Sequence, residues 1–380
     1  MKRVVIVYHY FAHYRLPILK EFATSKDIDF YFCADEQSDN DIKVIDFDAH
    51  DFFKGKFLKV KNIFIKLFLW QKGLLSTLNN GNFDAVIFLG EDRFVSTWVA
   101  IILMRLKLKK VYLWSHGLYG RESWFRKKIR VFYYSLANGI FLYNDRAKDL
   151  LLRENFAADK PIVIYNSLDF EQTEAYRSHH KKEESDKIRS IFPNPRLPVV
   201  FCISRINASK KIDLLIEAIA ILKKRDVLLN CFIIGDGAQE KAKLEALTAA
   251  KGLTDHINFV GGLYEEKEIS QYILSSDICI CPGAIGLTAI HSLSYGVPVI
   301  SNDNFAYQGP EFEAIVPGVS GEFFKNGDVA DLAAKMEKCM DLRMRDKEKN
   351  IQDCLAVIHQ YYNPSYQLKV IVDTLKKSLA

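Results

Sequence analysis

The stretch at residues 278–300, ICICPGAIGLTAIHSLSYGVPVI, contains the pattern that decides the fold. A short apolar run is followed by a glycine-containing loop, a segment long enough for a helix, and a second apolar run. Strands of this length that alternate with helices are typical of βαβ units in a mainly parallel sheet. The same alternation continues through the chain, so the sequence predicts an α/β fold.

Two blocks of this pattern are separated by a polar segment. The apolar runs of the first block lie at residues 4–7, 28–33, 85–89, 111–114, 139–143 and 162–165, and those of the second at 198–204, 230–235, 257–260, 278–281 and 297–300. Residues 171–195 are polar and charged and end near a Pro-Asn-Pro segment, which is typical of a domain junction. Because 380 residues exceed what one core usually fills, we predict two doubly wound, Rossmann-like domains at 1–185 and 186–358, and a C-terminal helix over 359–380.

The composition predicts a cytoplasmic protein without a membrane-spanning segment. No apolar run reaches the roughly 18 residues that a spanning helix needs. The apolar run near the N-terminus is not followed by a cleavage site of small residues, so we interpret it as a strand rather than as a signal peptide. The seven cysteines lie mostly in apolar runs without C-x-x-C spacing, so we predict reduced, buried thiols.

The loops that follow the strands carry the candidate binding residues, because ligands of open α/β sheets bind beyond the carboxyl ends of the strands. The first loop lacks the G-x-G-x-x-G fingerprint, which argues against a dehydrogenase. In the second block, Arg205 and Lys210 precede a helix and would suit a diphosphate, although solvated surface cations give the same pattern. Gly286 would let backbone approach an oxyanion, and His291 follows about one helical turn later, where a structural histidine is equally compatible.

The second block resembles the donor domain of the GT-B retaining glycosyltransferases of family 4, also called glycosyl transferase group 1. The motifs that carry the resemblance follow the family's order between residues 199 and 332: the pair Arg205 and Lys210, Gly235-Asp-Gly237, Phe259-Val-Gly-Gly, Gly286-Leu287, Gly296-Val-Pro-Val-Ile, and the segment at 313–323. The first block is similar more loosely, through Tyr14-Arg15-Leu-Pro and Ser115-His116-Gly117. The resemblance implies two Rossmann-like domains that face each other across a cleft, with the C-terminal helix crossing back to the first domain.

The resemblance also implies roles for individual residues. Arg205 and Lys210 would neutralise the donor diphosphate, together with the backbone amides of the phosphate-binding loop. That loop would be formed by Gly286, Leu287 and Thr288. The residues implied for the nucleoside and sugar are His291, Gly235 and Gly237. His116 would approach the transferred sugar, and His13 and Arg15 would lie on the acceptor side.

One departure from the family concerns its two glutamates, which usually stand eight positions apart around the glycine loop. This chain has Gly283 and His291 at those positions. His291 would replace the second glutamate, which usually binds the ribose hydroxyls, as a hydrogen-bonding partner. For the first glutamate we expect another acid, such as Glu311, Glu313 or Asp303, to act near the sugar, with capping of a helix N-terminus as the alternative for Glu311 and Glu313. A decayed relative that binds the donor without turnover is the other interpretation of the loss.

The reaction implied is transfer of a hexose-type sugar from a nucleoside-diphosphate sugar to a hydroxyl of a growing surface glycan, such as lipopolysaccharide or capsule, with retention of configuration. Charge on the leaving diphosphate would be stabilised by Arg205 and Lys210, so we expect no metal and no other cofactor. A GT-B nucleotide-sugar epimerase is the alternative enzyme, and it would need acid and base carboxylates in the cleft. A donor-binding protein without activity is the non-enzymatic alternative.

Two basic, aromatic segments in the first block predict contact with an anionic membrane surface. Residues 52–72 contain six lysines and no acid, and their apolar residues fall on one face of a helix. Residues 121–134 would join the same surface. Amphipathic helices packed on the acceptor domain with solvated lysines are the alternative. We therefore expect a lipid-linked acceptor and a peripheral protein on the inner face of the cytoplasmic membrane, and no nucleic-acid partner, because no binding module accompanies the charge.

Overall fold

Two parallel sheets organise the chain. The computed structural model describes residues 1–38 and 42–380. One sheet belongs to a unit formed by Met1–Asp169 together with Asn363–Ala380, which we call unit 1. The other belongs to Phe170–Tyr362, which we call unit 2. Each unit is a Rossmann-like arrangement of strands and helices, so the predicted α/β fold class is confirmed.

Unit 1 is built on a seven-stranded parallel sheet. Its strands, with two further strands of a separate hairpin, are β1 (Lys2–Val7), β2 (Ile28–Ala34), β3 (Phe57–Lys59), β4 (Lys61–Ile65), β5 (Phe68–Lys72), β6 (Ala85–Leu89), β7 (Lys110–Ser115), β8 (Gly139–Leu142) and β9 (Pro161–Val163). Its first helices are α1 (Leu16–Ala23), α2 (Leu74–Asn80), α3 (Val95–Leu106), α4 (Trp124–Ser135) and α5 (Asp145–Leu152). The strand order is β3-β2-β1-β6-β7-β8-β9, so β1 lies between β2 and β6.

Unit 2 is built on a six-stranded parallel sheet. Its strands are β10 (Val199–Ile203), β11 (Asn230–Ile234), β12 (Ile257–Gly261), β13 (Ile278–Cys281), β14 (Val299–Asn302) and β15 (Gly321–Phe324). Its helices are α6 (Phe170–His179), α7 (Lys182–Arg189), α8 (Ile212–Lys223), α9 (Ala238–Ala250), α10 (Glu266–Leu274), α11 (Thr288–Ser294), α12 (Val329–Arg345) and α13 (Lys347–Tyr361). The order β12-β11-β10-β13-β14-β15 reverses at β10, between β11 and β13.

The central strands contain continuous apolar runs because both of their faces are buried. In β1, Val4 and Ile6 pack into one core cluster of unit 1, and Val5 and Val7 pack into the other. A strand that is buried on both sides has no polar face, which explains why the sequence shows continuous apolar runs rather than alternation. The last helix, α14 (Pro364–Leu379), contributes Ile371 to the first of these clusters and so belongs to unit 1.

The division between the units differs from the predicted boundary at 185/186. The first segment of unit 1 ends at Asp169, and the polar residues that follow it form α6 and α7 rather than a linker. Both helices contact α10 of unit 2. The guanidinium of Arg189 also donates to the Asp277 carboxylate at 3.0 Å and to the Ser275 carbonyl at 2.8 Å. These contacts tie the segment to unit 2, which its polar composition does not reveal.

The predicted amphipathic helix over residues 52–72 is wrong, because this segment contains β3 and the antiparallel hairpin of β4 and β5. Strand β3 extends the edge of the sheet beside β2. In β5, Leu69 and Gln71 are buried, and the backbone amide of Gln71 donates to Ser96 Oγ at 3.0 Å. Burial of alternate residues is the period of a strand, and aromatic and β-branched residues fit it well.

Candidate functional site

The loops after β10 and β13 meet at the point where the strand order of unit 2 reverses. This switch point is where open α/β sheets bind ligands. A Cβ atom built on Gly283 would lie 2.5 Å from the Ser209 carbonyl oxygen and 2.7 Å from Lys210 Cα, so the loops touch through backbone. The Lys210 ammonium donates to the Ala284 carbonyl at 2.9 Å. The structure therefore brings Lys210 to the glycine loop, and the role of these two loops in binding a diphosphate stays a prediction.

The Gly235-Asp-Gly237 loop packs against the loop that carries Arg205. Cβ atoms built on Gly235 and Gly237 would collide with the carbonyl oxygens of Ser204 and Ile206. The Ile206 amide donates to the Asp236 carbonyl at 2.7 Å, which fixes the two loops together. These glycines are thus required by packing between loops, and their role toward a nucleoside stays a prediction. The Arg205 side chain is exposed at the same edge of the sheet.

The carboxylate of Glu311 lies beside the glycine loop. Glu311 belongs to a short 3-10 turn at Pro310–Ala314 and is only 3% exposed. A Cβ atom built on Gly286 would lie 3.7 Å from Oε2 of Glu311. Glu313 lies half-buried on the same turn. The structure therefore gives the loop a neighbouring carboxylate, although position 283 has no side chain.

The helix after the glycine loop is α11, which begins at Thr288 and spans seven residues. Leu287 is its N-terminal flanking residue. The Gly309 amide donates to the Ile285 carbonyl at 2.7 Å, and the Ile285 amide donates to Gln308 Oε1 at 2.6 Å. Gln308 and Gly309 therefore hold the glycine loop in place at Ile285.

His291 is paired with a glutamate that sequence reasoning missed. Its Nε2 lies 2.7 Å from Oε1 of Glu266, the first residue of α10, and the Tyr295 hydroxyl donates to the same oxygen at 2.5 Å. Burial alone would raise the pKa of Glu266, but its hydrogen bonds with His291 and Tyr295 outweigh burial and lower it. The sequence does not predict this pair, because the two residues are 25 positions apart and no motif links them.

Unit 1 contains a pocket of about 380 Å³ at the corresponding edge of its own sheet. The loops after β1, β6, β7 and β8 supply most of its wall, and the hairpin supplies the rest. The polar lining residues are His9, Arg15, Glu91, Arg93 and His116; the aromatic ones are Tyr8, Tyr10, Tyr14, Phe64, Phe94 and Tyr143; Ala12, Leu67 and Leu89 complete the lining. Two of the predicted residues, His116 and Arg15, are therefore brought into one pocket.

The His116 loop is held in place by buried hydrogen bonds. Ser115 Oγ donates to the Gly90 carbonyl at 3.0 Å, and the Arg130 guanidinium donates to the Gly117 carbonyl at 2.7 Å. Gly117 has a φ of +66°, which a side chain rarely adopts. Burial, and then the nearby charges of Arg15 and Arg130, lower the pKa of His116 to about 4. The imidazole is therefore neutral at physiological pH and can both donate and accept a hydrogen bond.

The two residues predicted for the acceptor side are separated. Arg15 lines the pocket, and its guanidinium donates to the Tyr143 hydroxyl at 2.6 Å. His13 is exposed and is not among the lining residues, and its Nδ1 lies 3.2 Å from the Lys43 carbonyl oxygen. Its side chain points elsewhere because His13 starts the 3-10 turn that leads into α1.

Glu91 is a pocket residue that the sequence did not single out. It follows β6 in the short loop Gly90-Glu91-Asp92-Arg93. Burial raises the pKa of its carboxyl group, although the charges of Arg130 and Arg93 oppose the change. An acid directly after a buried strand, at the reversal of strand order, was the available signal.

Unit 1 also exposes a surface of apolar residues mixed with basic ones. The hairpin exposes Leu67 to 68%, and α4 exposes Trp124 to 71%. The exposed apolar residues of this surface are Ile63, Phe64, Ile65, Leu67 and Phe68 on the hairpin, Val95, Val99, Ile102 and Leu106 on α3, and Trp124, Phe125, Ile129 and Phe132 on α4. We call this set the apolar surface of unit 1. Among the described residues, no helix is long and apolar enough to cross a bilayer.

Comparison with known proteins connects this geometry to a family. Residues 183–353 match the family described as Glycosyl transferases group 1. Alpha-D-kanosaminyltransferase of Streptomyces kanamyceticus is 23% identical over 219 residues, which are 56% of this chain and 54% of that protein. The chain thus spans about half the length of the curated relatives it matches.

Solved structures extend the similarity to the whole chain. HepE of Anabaena in complex with UDP superposes with a TM-score of 0.72 at 15% identity, over 99% of this chain and 100% of that one. The lipopolysaccharide outer core galactosyltransferase WaaB superposes with a TM-score of 0.70 at 16% identity, over 100% of both chains. These likenesses identify the fold as GT-B, the fold that the resemblance implied.

Proposed function

We propose that this protein is a glycosyltransferase that moves a hexose-type sugar from a nucleoside-diphosphate sugar to a hydroxyl of a surface glycan. The observation that carries the proposal is the contact of the Lys210 loop with the glycine loop at the switch point of unit 2, with Arg205 at the same edge. Two cations beside a loop that precedes a helix are suited to a diphosphate. The name of the matching family and the UDP carried by HepE support a nucleotide-sugar donor.

The chemistry assigned to unit 2 is charge stabilisation. When the glycosidic bond breaks, negative charge develops on the β-phosphate of the leaving nucleotide. Lys210 and Arg205 would hold that charge, so the step needs no metal ion. In a retaining reaction the leaving diphosphate stays on the face that the acceptor hydroxyl attacks, and the acceptor proton can pass to a phosphate oxygen. Glu311, whose carboxylate is beside Gly286, would stabilise the positive charge that develops on the sugar.

The unit 1 pocket is proposed as the acceptor site. His116 is held there as a neutral imidazole by burial and by the charges of Arg15 and Arg130, which lower its pKa to about 4. A neutral imidazole can accept a hydrogen bond from an acceptor hydroxyl or donate one to the transferred sugar. Six aromatic rings line the pocket, and such rings offer apolar faces to sugar rings.

A lipid-linked acceptor at the inner face of the cytoplasmic membrane is proposed from the neighbouring surface. Phe64 and Leu67 line the pocket and also belong to the apolar surface of unit 1, so the pocket and that surface share two residues. Lys66 lies at the tip of the hairpin, and Arg126 and Lys128 lie on α4. Each such cation near an anionic leaflet contributes about 1 kcal/mol, and aromatic side chains enter the headgroup layer.

A thermal-shift panel of UDP, GDP, dTDP and CMP, with their common sugars, tests the proposed donor site. We expect one nucleoside diphosphate to raise the melting temperature of the wild type but not of the double variant Arg205→Ala, Lys210→Ala, because the clamp is lost. Lys224→Ala, a cation at the far end of α8, is the matched control and should keep the shift. If no nucleotide shifts the wild type, the transferase proposal is wrong.

A further inference from the structure

Arg15 is a pocket cation that has no carboxylate partner in the part of the chain that the structure describes. Among residues 1–38 and 42–380 it forms no salt bridge. Its guanidinium carbon instead lies 5.0 Å from the ring centroid of Tyr8, 5.4 Å from that of Trp114 and 5.8 Å from that of Tyr143. The hydrogen bond to the Tyr143 hydroxyl at 2.6 Å uses one of its nitrogens.

Aromatic rings stabilise the charge of a guanidinium but do not accept all of its hydrogen bonds. Cation–π contacts stabilise its faces, whereas its N–H groups lie in the plane of the guanidinium and need acceptors. Arginine carries five N–H donors in a fixed fork that matches a carboxylate or a phosphate. Arg15 lines the 380 Å³ pocket, so a ligand in the pocket can reach it.

The other charged groups of the pocket leave room for an anion near Arg15. The charges that act on Glu91 are those of Arg130, Asp92, Arg93 and Arg126. Arg15 and Glu91 both line the pocket, but among residues 1–38 and 42–380 they form no ion pair with each other. Arg93 adds a second cation to the lining, which gives the pocket two arginines and one glutamate.

We propose that the unit 1 pocket binds a sugar that carries an anionic group, and that Arg15 receives this group. The shared chemistry is an oxyanion attached to a sugar ring, either the carboxylate of a uronic acid or a phosphate ester. Tyr10 and Tyr14 on the pocket wall would contact the ring itself. The inference rests on the proposed function, because it takes this pocket as the acceptor site and names the chemical class of the acceptor.

Calorimetric titration of the full chain, without nucleotide, tests the inference with three matched ligands. They are methyl glucoside, methyl glucuronide and methyl glucoside 6-phosphate, which differ only at carbon 6. A hydrogen-bonded charged pair should make at least one acidic sugar bind about tenfold more tightly than the neutral one. Whether the glucuronide or the 6-phosphate binds more tightly distinguishes a carboxylate from a phosphate. The difference in affinity from the neutral sugar should decrease at high salt.

Substitutions assign the preference to Arg15. Arg15→Met should abolish the preference for the acidic sugar, and Arg15→Lys should keep part of it, because lysine retains the charge but not the fork. Arg3→Met is the matched control, since the Arg3 guanidinium also stacks on rings of unit 1, at 4.6 Å from Tyr31, but does not line the pocket. This variant should keep the full preference. If Arg15→Met does not fold, Arg15→Lys and the salt dependence carry the test.

The inference is overturned if the wild type binds the three sugars equally or binds none of them. It is also overturned if UDP displaces the acidic sugar, because the anion would then occupy the donor site. These failures are distinct from failure of the proposed function, which is judged by the nucleotide panel on unit 2. If a nucleotide stabilises the wild type but the acidic and neutral sugars bind equally, the proposed function stands and the acceptor is neutral.

Discussion

The two units present the carboxyl ends of their strands in different ways. In unit 2, backbone touches backbone at Gly283 and Gly235, and the charged groups at the edge are long side chains. In unit 1, side chains from several loops enclose a pocket in which burial shifts the pKa values of His116 and Glu91. The difference fits a division of labour, since a diphosphate is recognised by amides and cations, whereas a sugar acceptor needs a shaped and less solvated pocket.

The largest expected effect separates Glu311 from its neighbour Glu313. Glu311→Gln keeps the volume of a buried side chain but removes its charge, so donor binding should persist while turnover falls about 10²–10³-fold. Release of nucleoside diphosphate and thermal shift with the nucleotide measure the two quantities.

Glu313→Gln is the control for this comparison, because it lies on the same turn but is more exposed. We expect it to lose less than about tenfold in turnover. Equal activity of both variants and the wild type would remove Glu311 from the mechanism. It would also leave the glycine loop without an assigned carboxylate.

The next effect concerns the pH dependence of unit 1. His116 has a folded-state pKa of about 4, below the ordinary value of 6.5, so between these values only the unfolded state is protonated. Its contribution to stability is therefore complete above pH 6.5 and decreases as the pH falls toward 4. The difference amounts to at most about 3 kcal/mol.

A comparison of wild type with His116→Gln isolates this contribution. Melting temperatures measured from pH 7 to pH 4 should fall more steeply for the wild type than for the variant, because glutamine does not titrate. Parallel curves would mean that the imidazole is more exposed to water than the pocket geometry implies.

Gly283 and Gly286 provide a matched pair that tests the backbone contact in unit 2. A methyl group at 283 would meet the backbone of Ser209 and Lys210, whereas at 286 it meets nothing closer than 3.7 Å. Gly283→Ala should therefore lower the free energy of unfolding by about 1–3 kcal/mol, the usual range for overpacking. Gly286→Ala should change it by less than about 1 kcal/mol. Urea denaturation of both variants measures the difference, and equal stability would contradict the loop contact.

The contact at Gly283 also limits which side chains fit at this position, where the predicted alignment places the family's first glutamate. Gly283→Glu would place a larger side chain against the same backbone, so the loop would have to move. The carboxylate beside Gly286 comes instead from Glu311, on a different loop.

Parts of this architecture were readable from the sequence because they depend on neighbouring residues. The continuous apolar runs predicted the buried parallel strands, and the order of short motifs predicted the glycine loop and its cations. Residues 52–72 were not readable, since their apolar residues suit a helix as well as a strand, and only burial of Leu69 and Gln71 distinguishes the two. Glu266 and Glu91 were missed because their roles depend on contacts between distant segments.

The smallest expected effect tests whether Glu266 and His291 act as one unit. His291→Glu introduces the residue that the predicted alignment gives the family at this position, but it would place two carboxylates where Nε2 and Oε1 now lie 2.7 Å apart. Like charges at that distance repel, so the single variant should bind the nucleoside diphosphate several-fold more weakly. The swapped double variant, His291→Glu with Glu266→His, restores one carboxylate and one imidazole.

We expect the swap to recover binding to within about twofold of the wild type, because the pair rather than either position supplies the polar group. Calorimetric titration with the nucleotide identified by the panel measures all three proteins. If His291→Glu alone binds as well as the wild type, the imidazole has no part in holding Glu266. If the swapped variant binds as weakly as the single variant, the orientation of the pair matters. The carboxylate must then come from α10 and the imidazole from α11.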